Sequence, residues 1–466
     1  MPLSSYPPLQ LGRLSAPGPG RTITSVSEPL AKSLREAARV IGASISPTAA
    51  CSYSQIFNPR CTAEAEQSTV SAEQLGRGFV AMWSVAPLAL PSRRCLTLRD
   101  AEEWFVGAVG NVRPLWIHIP SDTRATAEAL LIGVDPTNLA DLLPYVLEHH
   151  GPGSRRDVLR DRTHLAAREI KRREGVFYTP SDVADFMIAT VLDGQGIGPV
   201  LDPACGTGVY LRAACQSLLS RGLRPLDVLS ILYGVDTDPI AVDAACFLLA
   251  SDMGPLLPET PPLVVWHIAR LNIAVGDSLS LIEAPRRLRT FSPAPLACLR
   301  KEMRAKLLEP GKNLSEPIAI EPDEWTTSQG VLFPEIVDGF TGIVGNPPYA
   351  PLGTSRDSAA LSRSFDSLSN IPLTPTMNMY VPFMELMWKV TTRPSTSSLV
   401  IPLSLAYGSS QVLRGLRRAM WRSGAAWTFH FFDRTPMPCL ETTLNSESRS
   451  HSVVSTLKAG QLTLDQ

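Results

Sequence analysis

Asn346, Pro347, Pro348 and Tyr349 form a tetrapeptide whose parts suit holding a flat molecule that carries an amine. Asn346 supplies a side-chain carbonyl oxygen, and Pro347 a backbone carbonyl with no competing N–H. The two prolines stiffen the turn, and Tyr349 adds an aromatic face. An amine whose hydrogens are both taken by these acceptors turns its lone pair toward an electrophile. A plain tight turn has the same composition, so the tetrapeptide gains meaning only from its neighbours in the sequence.

Those neighbours are three carboxylates, each expected at the end of an apolar strand. Asp202-Pro203-Ala204-Cys205-Gly206-Thr207-Gly208 follows one strand and opens a helix. Gly206 and Gly208 allow a sharp turn and a close backbone approach to a ligand. The N–H groups at the start of that helix favour an anionic group such as a carboxylate, and Asp202 can accept from an ammonium. Leu211 stands where a dinucleotide fingerprint needs a third glycine, and no Gly-Lys-Ser/Thr completes a Walker loop. A second strand ends at Asp236, placed to take two ribose hydroxyls. Asp238 reads as the following helix's N-cap, with Pro239 at its first position. A third ends at Asp277-Ser278, where Asp277 reads equally as an acceptor for an amine and as a turn residue.

Stepping outward, apolar periodicity predicts strands at 200–202, 231–235, 273–275, 342–344, 399–402 and 427–432. Helices are predicted over 207–222, 238–251, 378–392 and 410–423. Such alternation implies an α/β fold, a doubly wound and mostly parallel Rossmann-like sheet whose ligands sit beyond the carboxyl ends of its strands. Residues 281–340 break the rhythm as a Pro-rich, charged insertion with one helix near 297–308. Residues 1–28 read as a flexible tail and 29–150 as a helical domain, with helices near 29–43, 99–109, 124–134 and 137–149. Gly151–Ser154 reads as a linker to a catalytic domain at 155–432. Arginines at 155–173 and at 414, 417, 418 and 422 read either as solvated helix faces or as phosphate contacts.

The chain has 466 residues, 44% hydrophobic and 19% charged, which fits a globular protein of two or three domains. A formal net charge of −1 confines any nucleic-acid surface to a local patch. Eight Cys without a C-x-x-C pair argue against zinc and fit a reducing, cytoplasmic setting. No signal-type segment and no long apolar run point to a membrane.

Together, Asp-Pro-Ala-Cys-Gly-Thr-Gly, Gly-Val-Asp-Thr-Asp-Pro, Gly-Asp-Ser and Asn-Pro-Pro-Tyr resemble the S-adenosylmethionine-dependent amino-methyltransferases of DNA. Upstream, Gly175-Val176-Phe177-Tyr178-Thr179-Pro180 resembles the extra cofactor motif of the N6-adenine branch, giving the gamma motif order of restriction-modification enzymes. The resemblance covers about 175–432 and implies a seven-stranded methyltransferase sheet. It implies that Tyr178, Thr179 and Pro180 close on the methionine end of the cofactor. Asp202 would bind the ammonium, the Ala204, Cys205, Gly206 and Gly208 backbone the amino-acid moiety, and Asp236 the ribose. Asp277, Ser278 and Ile240 would hold the adenine, and Asn346, Pro347, Pro348 and Tyr349 a flipped adenine of DNA. No metal is implied.

After the last predicted strand, residues 433–466 are polar and Ser/Thr-rich, and are expected to be disordered or truncated. Family members continue there with a target-recognition domain, so a separate specificity or restriction subunit is an implied partner. Enzymes with the same tetrapeptide that methylate RNA or protein glutamine, and a non-catalytic DNA-binding subunit of a modification complex, are the competing readings.

Overall fold

The computed structural model describes residues 27–44, 120–131, 179, 181–193, 197–253, 262–283, 338–349, 361, 363–369, 377–392, 394–402, 404–431 and 452–459, with single positions at 256, 257, 260, 332, 333, 335 and 336. In chain order the elements are α1 (Ser27–Ser44), α2 (Ser121–Leu131), α3 (Ser181–Asp193), β1 (Val200–Asp202), α4 (Val209–Ser220) and α5 (Pro225–Ile231). Next come β2 (Leu232–Asp236), α6 (Pro239–Met253), α7 (Pro262–Asn272), β3 (Ile273–Val275) and β4 (Gly342–Gly345). The remainder are α8 (Tyr380–Lys389), β5 (Ser395–Pro402), α9 (Ser404–Tyr407), α10 (Gln411–Arg422), β6 (Ala426–Phe431) and β7 (Ser452–Ala459).

The chain divides into two compact units: of the described residues, those within 154–204 and 338–466 belong to the first and those within 23–153 and 205–337 to the second. The first unit holds β1, β4, β5, β7 and β6, in that spatial order. β1 pairs parallel with β4 (Leu201 opposite Ile343), and β4 parallel with β5 (Gly345 opposite Leu399). Strand β7 runs antiparallel to both β5 and β6. Residues of β4 and β5 are almost all buried, as expected of parallel strands covered on both faces. Helix α3 packs on β4 and β5, and α8 on β5 and α10. Gly342 is forced by this packing: a Cβ there would run into the Thr396 carbonyl oxygen and, at 2.7 Å, Val191 Cγ1.

In the second unit β2 and β3 pair parallel, with Asp236 opposite Val275. Helix α6 is buried over nearly its whole length, from Val242 through Ala250 to Met253 among its described side chains. A helix apolar all round belongs in a core, and α6 packs against α4, α7, β2 and β3. Its polar end is tied by Asp252, which accepts from Arg212 Nε at 2.8 Å. Asn272, wholly buried at the end of α7, donates to the Leu229 carbonyl at 2.8 Å. Helices α1 and α2 pack on one another through Ala37, Ala38, Ile41 and Ala127.

Several expectations change. The tail is not uniformly without structure: Ser452–Ala459 forms β7, inserted between β5 and β6. The sheet is therefore parallel only up to β5. Helices α5 and α7 were not expected from the sequence, and β5 begins at Ser395 rather than 399. The predicted helices near 99–109, 137–149 and 297–308, the 151–154 linker and the 155–173 arginines lie outside the described residues.

Candidate functional site

In the first unit, the turn after β4 is built around one amide. Asn346 Nδ2 donates to Thr179 Oγ1 at 3.1 Å, and Thr179 is only 6% exposed. The Tyr349 hydroxyl bonds Asn346 Oδ1 and also reaches the Val400 carbonyl at 3.0 Å. A phenol has one proton, so it serves one of these acceptors at a time. Pro347 is buried, while Asn346, Pro348 and Tyr349 are half-buried. Residue 345 must be glycine for the turn to sit here: a Cβ would meet Asp202 Oδ1 at 2.8 Å and Pro203 Cδ at 3.3 Å. The Asp202 carboxylate therefore lies directly against the residue preceding Asn346. Its Oδ1 accepts from Ala204 N at 3.1 Å.

The second unit brings together the glycine turn and the ends of β2 and β3. Gly206 N donates to Asp236 Oδ2 at 2.8 Å, and Asp238 N to Asp236 Oδ1 at 2.9 Å. Cys205 N bonds the Val235 carbonyl at 3.0 Å, and Gly276 N the Asp236 carbonyl at 2.8 Å. Burial pushes the Asp236 carboxyl up to about 6, against the N–H groups of Asp238, Gly206 and Thr237, which favour its charge. Gly206 and Gly208 take φ of 49° and 87°, conformations that suit glycine. Gly208 also stands where a Cβ would come within 2.9 Å of Ala245 Cβ. Gly234 in β2 admits Cys205 and Leu211, whose side chains a Cβ would crowd at 3.1 and 2.9 Å. Cys205, Cys215 and Cys246 are buried free thiols, and burial holds Cys215 up at about 12.

Asp277 Oδ1 accepts from Leu279 N at 3.1 Å and opens the short 3-10 turn Ser278–Glu283, so its role as a turn residue is realised. Ser278 is 3% exposed. Ile240 falls in the first turn of α6, its side chain outside the described ones, as are Tyr178 and Pro180 altogether. Met384 and Met387 of α8 are fully buried core residues.

Two features escape the sequence. Phe333 adopts φ of 52°, strained for a bulky side chain, and is 2% exposed. It packs edge-on against Tyr233 at 4.9 Å, whose hydroxyl donates to Glu335. Neighbouring Leu332 lies over Gly276 at the tip of β3. Glu385, fully buried in α8, accepts from Asp366 N at 3.0 Å and Ser367 N at 2.6 Å and pins the 365–369 turn. The pattern gave no signal for either, beyond a lone acid in an apolar helix. Among the described residues there is no cluster of three metal-ligating side chains, and no helix long and apolar enough to cross a membrane.

Residues 230–436 match the Eco57I restriction-modification methylase family, and residues 163–247 the N-6 DNA Methylase family. A type I restriction enzyme MjaIX methylase subunit from Methanocaldococcus jannaschii is 43% identical over 67 residues, 14% of this chain and 11% of that protein. The type II methyltransferase M.VspI from a Vibrio species is 38% identical over 74 residues, 16% of each chain. These alignments thus cover under a fifth of either relative's length. A chain in the DrdV–DNA complex superposes with a TM-score of 0.51 at 14% identity, over 93% of this chain and 41% of that one, which shows a shared fold.

Proposed function

We infer that this chain, whose residues 163–247 match the N-6 DNA Methylase family and 230–436 the Eco57I restriction-modification methylase family, transfers a methyl group to the N6 amine of an adenine rotated out of DNA. The observation that carries the reading is the fixed amide of Asn346, with Nδ2 on Thr179 and Oδ1 turned to a displaceable hydroxyl.

The donor set suits S-adenosylmethionine. In the second unit the glycine turn offers open backbone for an amino-acid group and Asp236 a carboxylate for ribose hydroxyls, and in the first unit Asp202 is an acceptor fit for an ammonium. When bound, this cofactor supplies a methyl group already activated on a sulfonium. The chain's own residues must then handle the acceptor. Adenine N6 shares its lone pair with the ring, and loses that sharing when Asn346 Oδ1 and the Pro347 carbonyl each take one of its hydrogens. Such positioning contributes up to roughly 7–11 kcal/mol.

A paired base cannot reach a loop, so it must be flipped at a cost of a few kcal/mol, while stacking on Tyr349 returns about 1–3 kcal/mol. As the base arrives, N6–H replaces the phenol on Asn346 Oδ1. The phenol proton turns to the Val400 carbonyl, so Tyr349 stays anchored without a lost hydrogen bond.

Asn346→Ala tests the reading. Tritium transfer from the labelled cofactor to duplex DNA should fall at least about a hundredfold, the scale of losing one preorganised polar group, with cofactor affinity nearly unchanged. Equal loss of both would refute the assigned role, and transfer to RNA or protein in place of DNA would refute the substrate.

A further inference from the structure

Helix α10 carries two opposite faces. Its apolar side chains Leu416, Ala419 and Met420 are buried, and the Met420 carbonyl accepts from Trp427 Nε1 at 3.3 Å. Arg417 belongs to the inner side too, since its guanidinium donates to the carbonyls of Leu405 at 2.8 Å and Gly408 at 2.9 Å. The outer side is Gln411, Arg414, Arg418, Trp421 and Arg422, all exposed. Arg414, Arg418 and Arg422 recur every fourth residue, so they line one stripe about 12 Å long at 1.5 Å per residue. No carboxylate pairs with them among the described residues. Between Glu385 and Asp433 the sequence has six Lys or Arg and no Asp or Glu, in a chain of net charge −1. This part of the chain therefore carries a local excess of positive charge.

We propose that this stripe is a docking surface for the phosphodiester backbone of duplex DNA, outside the residues assigned to the base and the cofactor. It deepens the reading above, on which it rests for the choice of DNA. Guanidinium groups bind phosphate through paired N–H donors. Phosphates of one strand rise 3.4 Å apiece, so a 12 Å stripe covers roughly three or four of them. A lipid surface fits less well: the apolar face that would enter it is already spent on the protein's own core, leaving Trp421 alone among exposed apolar residues of α10. Contacts of this kind hold the duplex without reading its sequence.

The triple variant Arg414→Gln/Arg418→Gln/Arg422→Gln of the whole chain, checked for native melting, tests this by anisotropy on a labelled 30-base-pair duplex of arbitrary sequence. Three lost phosphate contacts should flatten the slope of log K against log salt by about 2.7, at roughly 0.9 per phosphate. Between 50 and 200 mM salt the wild type should then lose roughly 40-fold more affinity than the variant. A control with three exposed arginines removed elsewhere, Arg39→Gln/Arg221→Gln/Arg224→Gln, should keep the wild-type slope. An unchanged slope in the stripe variant, or the same flattening in the control, would overturn the proposal. So would loss of binding to anionic vesicles, or to single-stranded RNA, with duplex binding intact. Wild-type DNA binding with the expected slope but no methyl transfer would instead remove the catalytic reading and leave the stripe standing.

Discussion

Thr179→Val separates two roles for one residue. The change keeps the branched shape and deletes the Oγ1 that accepts from Asn346 Nδ2 at 3.1 Å. Thr179 is 6% exposed, so water is a poor substitute. A buried N–H left without its acceptor costs about 1–3 kcal/mol. The amide escapes that cost by rotating, which points its N–H groups at the N6 hydrogens of the base and repels them. Charged to the reacting state, this range lowers turnover by about 5- to 160-fold at 1.36 kcal/mol per decade. Single-turnover methylation at saturating cofactor reads the rate, and calorimetric titration reads cofactor affinity separately. The expected outcome is a slowed rate with affinity held within about twofold, and recovery of the rate in Thr179→Ser, which restores the hydroxyl. A wild-type rate would show that the hydrogen bond does nothing. Lost affinity with a normal saturated rate would show that Thr179 walls the methionine end of the cofactor, as the family resemblance implies, and leaves the amide alone.

Two further outcomes follow from groups of known environment. Burial lifts the Asp236 carboxyl to about 6, and only its ionised form accepts two ribose hydroxyls without giving up its backbone partners. Protonation removes acceptors, so wild-type cofactor affinity should weaken as pH falls through about 6, while Asp236→Asn should bind more weakly with a flat profile between pH 5 and 8; a flat wild-type profile in calorimetry would refute this. Glu385→Ala removes a fully buried carboxylate that holds Asp366 N, Ser367 N and Lys389 Nζ, the last at 3.3 Å. Losing one partner of a buried pair costs about 3 kcal/mol or more, so the melting temperature should drop by about 5–10 °C. Trypsin should then cut faster after exposed Arg363, and unchanged melting with unchanged cleavage would contradict the clamp.

Strand ends were legible because parallel strands buried on both faces are written as short apolar runs that stop at a polar residue. Val200–Asp202 and Leu232–Asp236 obey this, while Ile273–Val275 stops one glycine short of Asp277. The same rule hid the start of β5, since Ser395, Thr396, Ser397 and Ser398 are polar yet wholly buried. Two of them are held by hydrogen bonds: Ser397 Oγ accepts from Ile343 N at 3.0 Å, and Ser395 Oγ donates to Thr391 Oγ1 at 3.1 Å, whereas Thr396 Oγ1 is buried without a hydrogen-bond partner among the described residues. Helix α7, Pro-Leu-Val-Val-Trp-His-Ile-Ala-Arg-Leu-Asn, has only His267 and Arg270 as polar residues before its last position, too few to set a helical period apart from a strand. Strand β7 pairs Val454 with Val400 and His430. Pairing across such distances in sequence leaves no local trace, and a polar approach masked it. The Thr179–Asn346 bond spans 167 residues and was equally silent.

The three strand-end carboxylates show why a choice between turn residue and ligand-binding residue is a false one here. Asp202, Asp236 and Asp277 each give Oδ1 to the backbone N–H two residues on: Ala204 at 3.1 Å, Asp238 at 2.9 Å and Leu279 at 3.1 Å. That bond is what turns the chain sharply off its strand. It consumes one of about four acceptor positions on an ionised carboxylate, so each acid is oriented by its own turn and keeps acceptor capacity for an ammonium or a hydroxyl. An asparagine at these positions could make the turn and lose the charge, whereas a glutamate could keep the charge and lose the turn. Aspartate alone does both, which is why the residue type, more than its burial, supports the binding roles proposed for these three positions. Asn346 is the same principle with the polarity reversed: its N–H end is spent on Thr179, which leaves its oxygen as the end that the proposed reaction would present to a substrate amine.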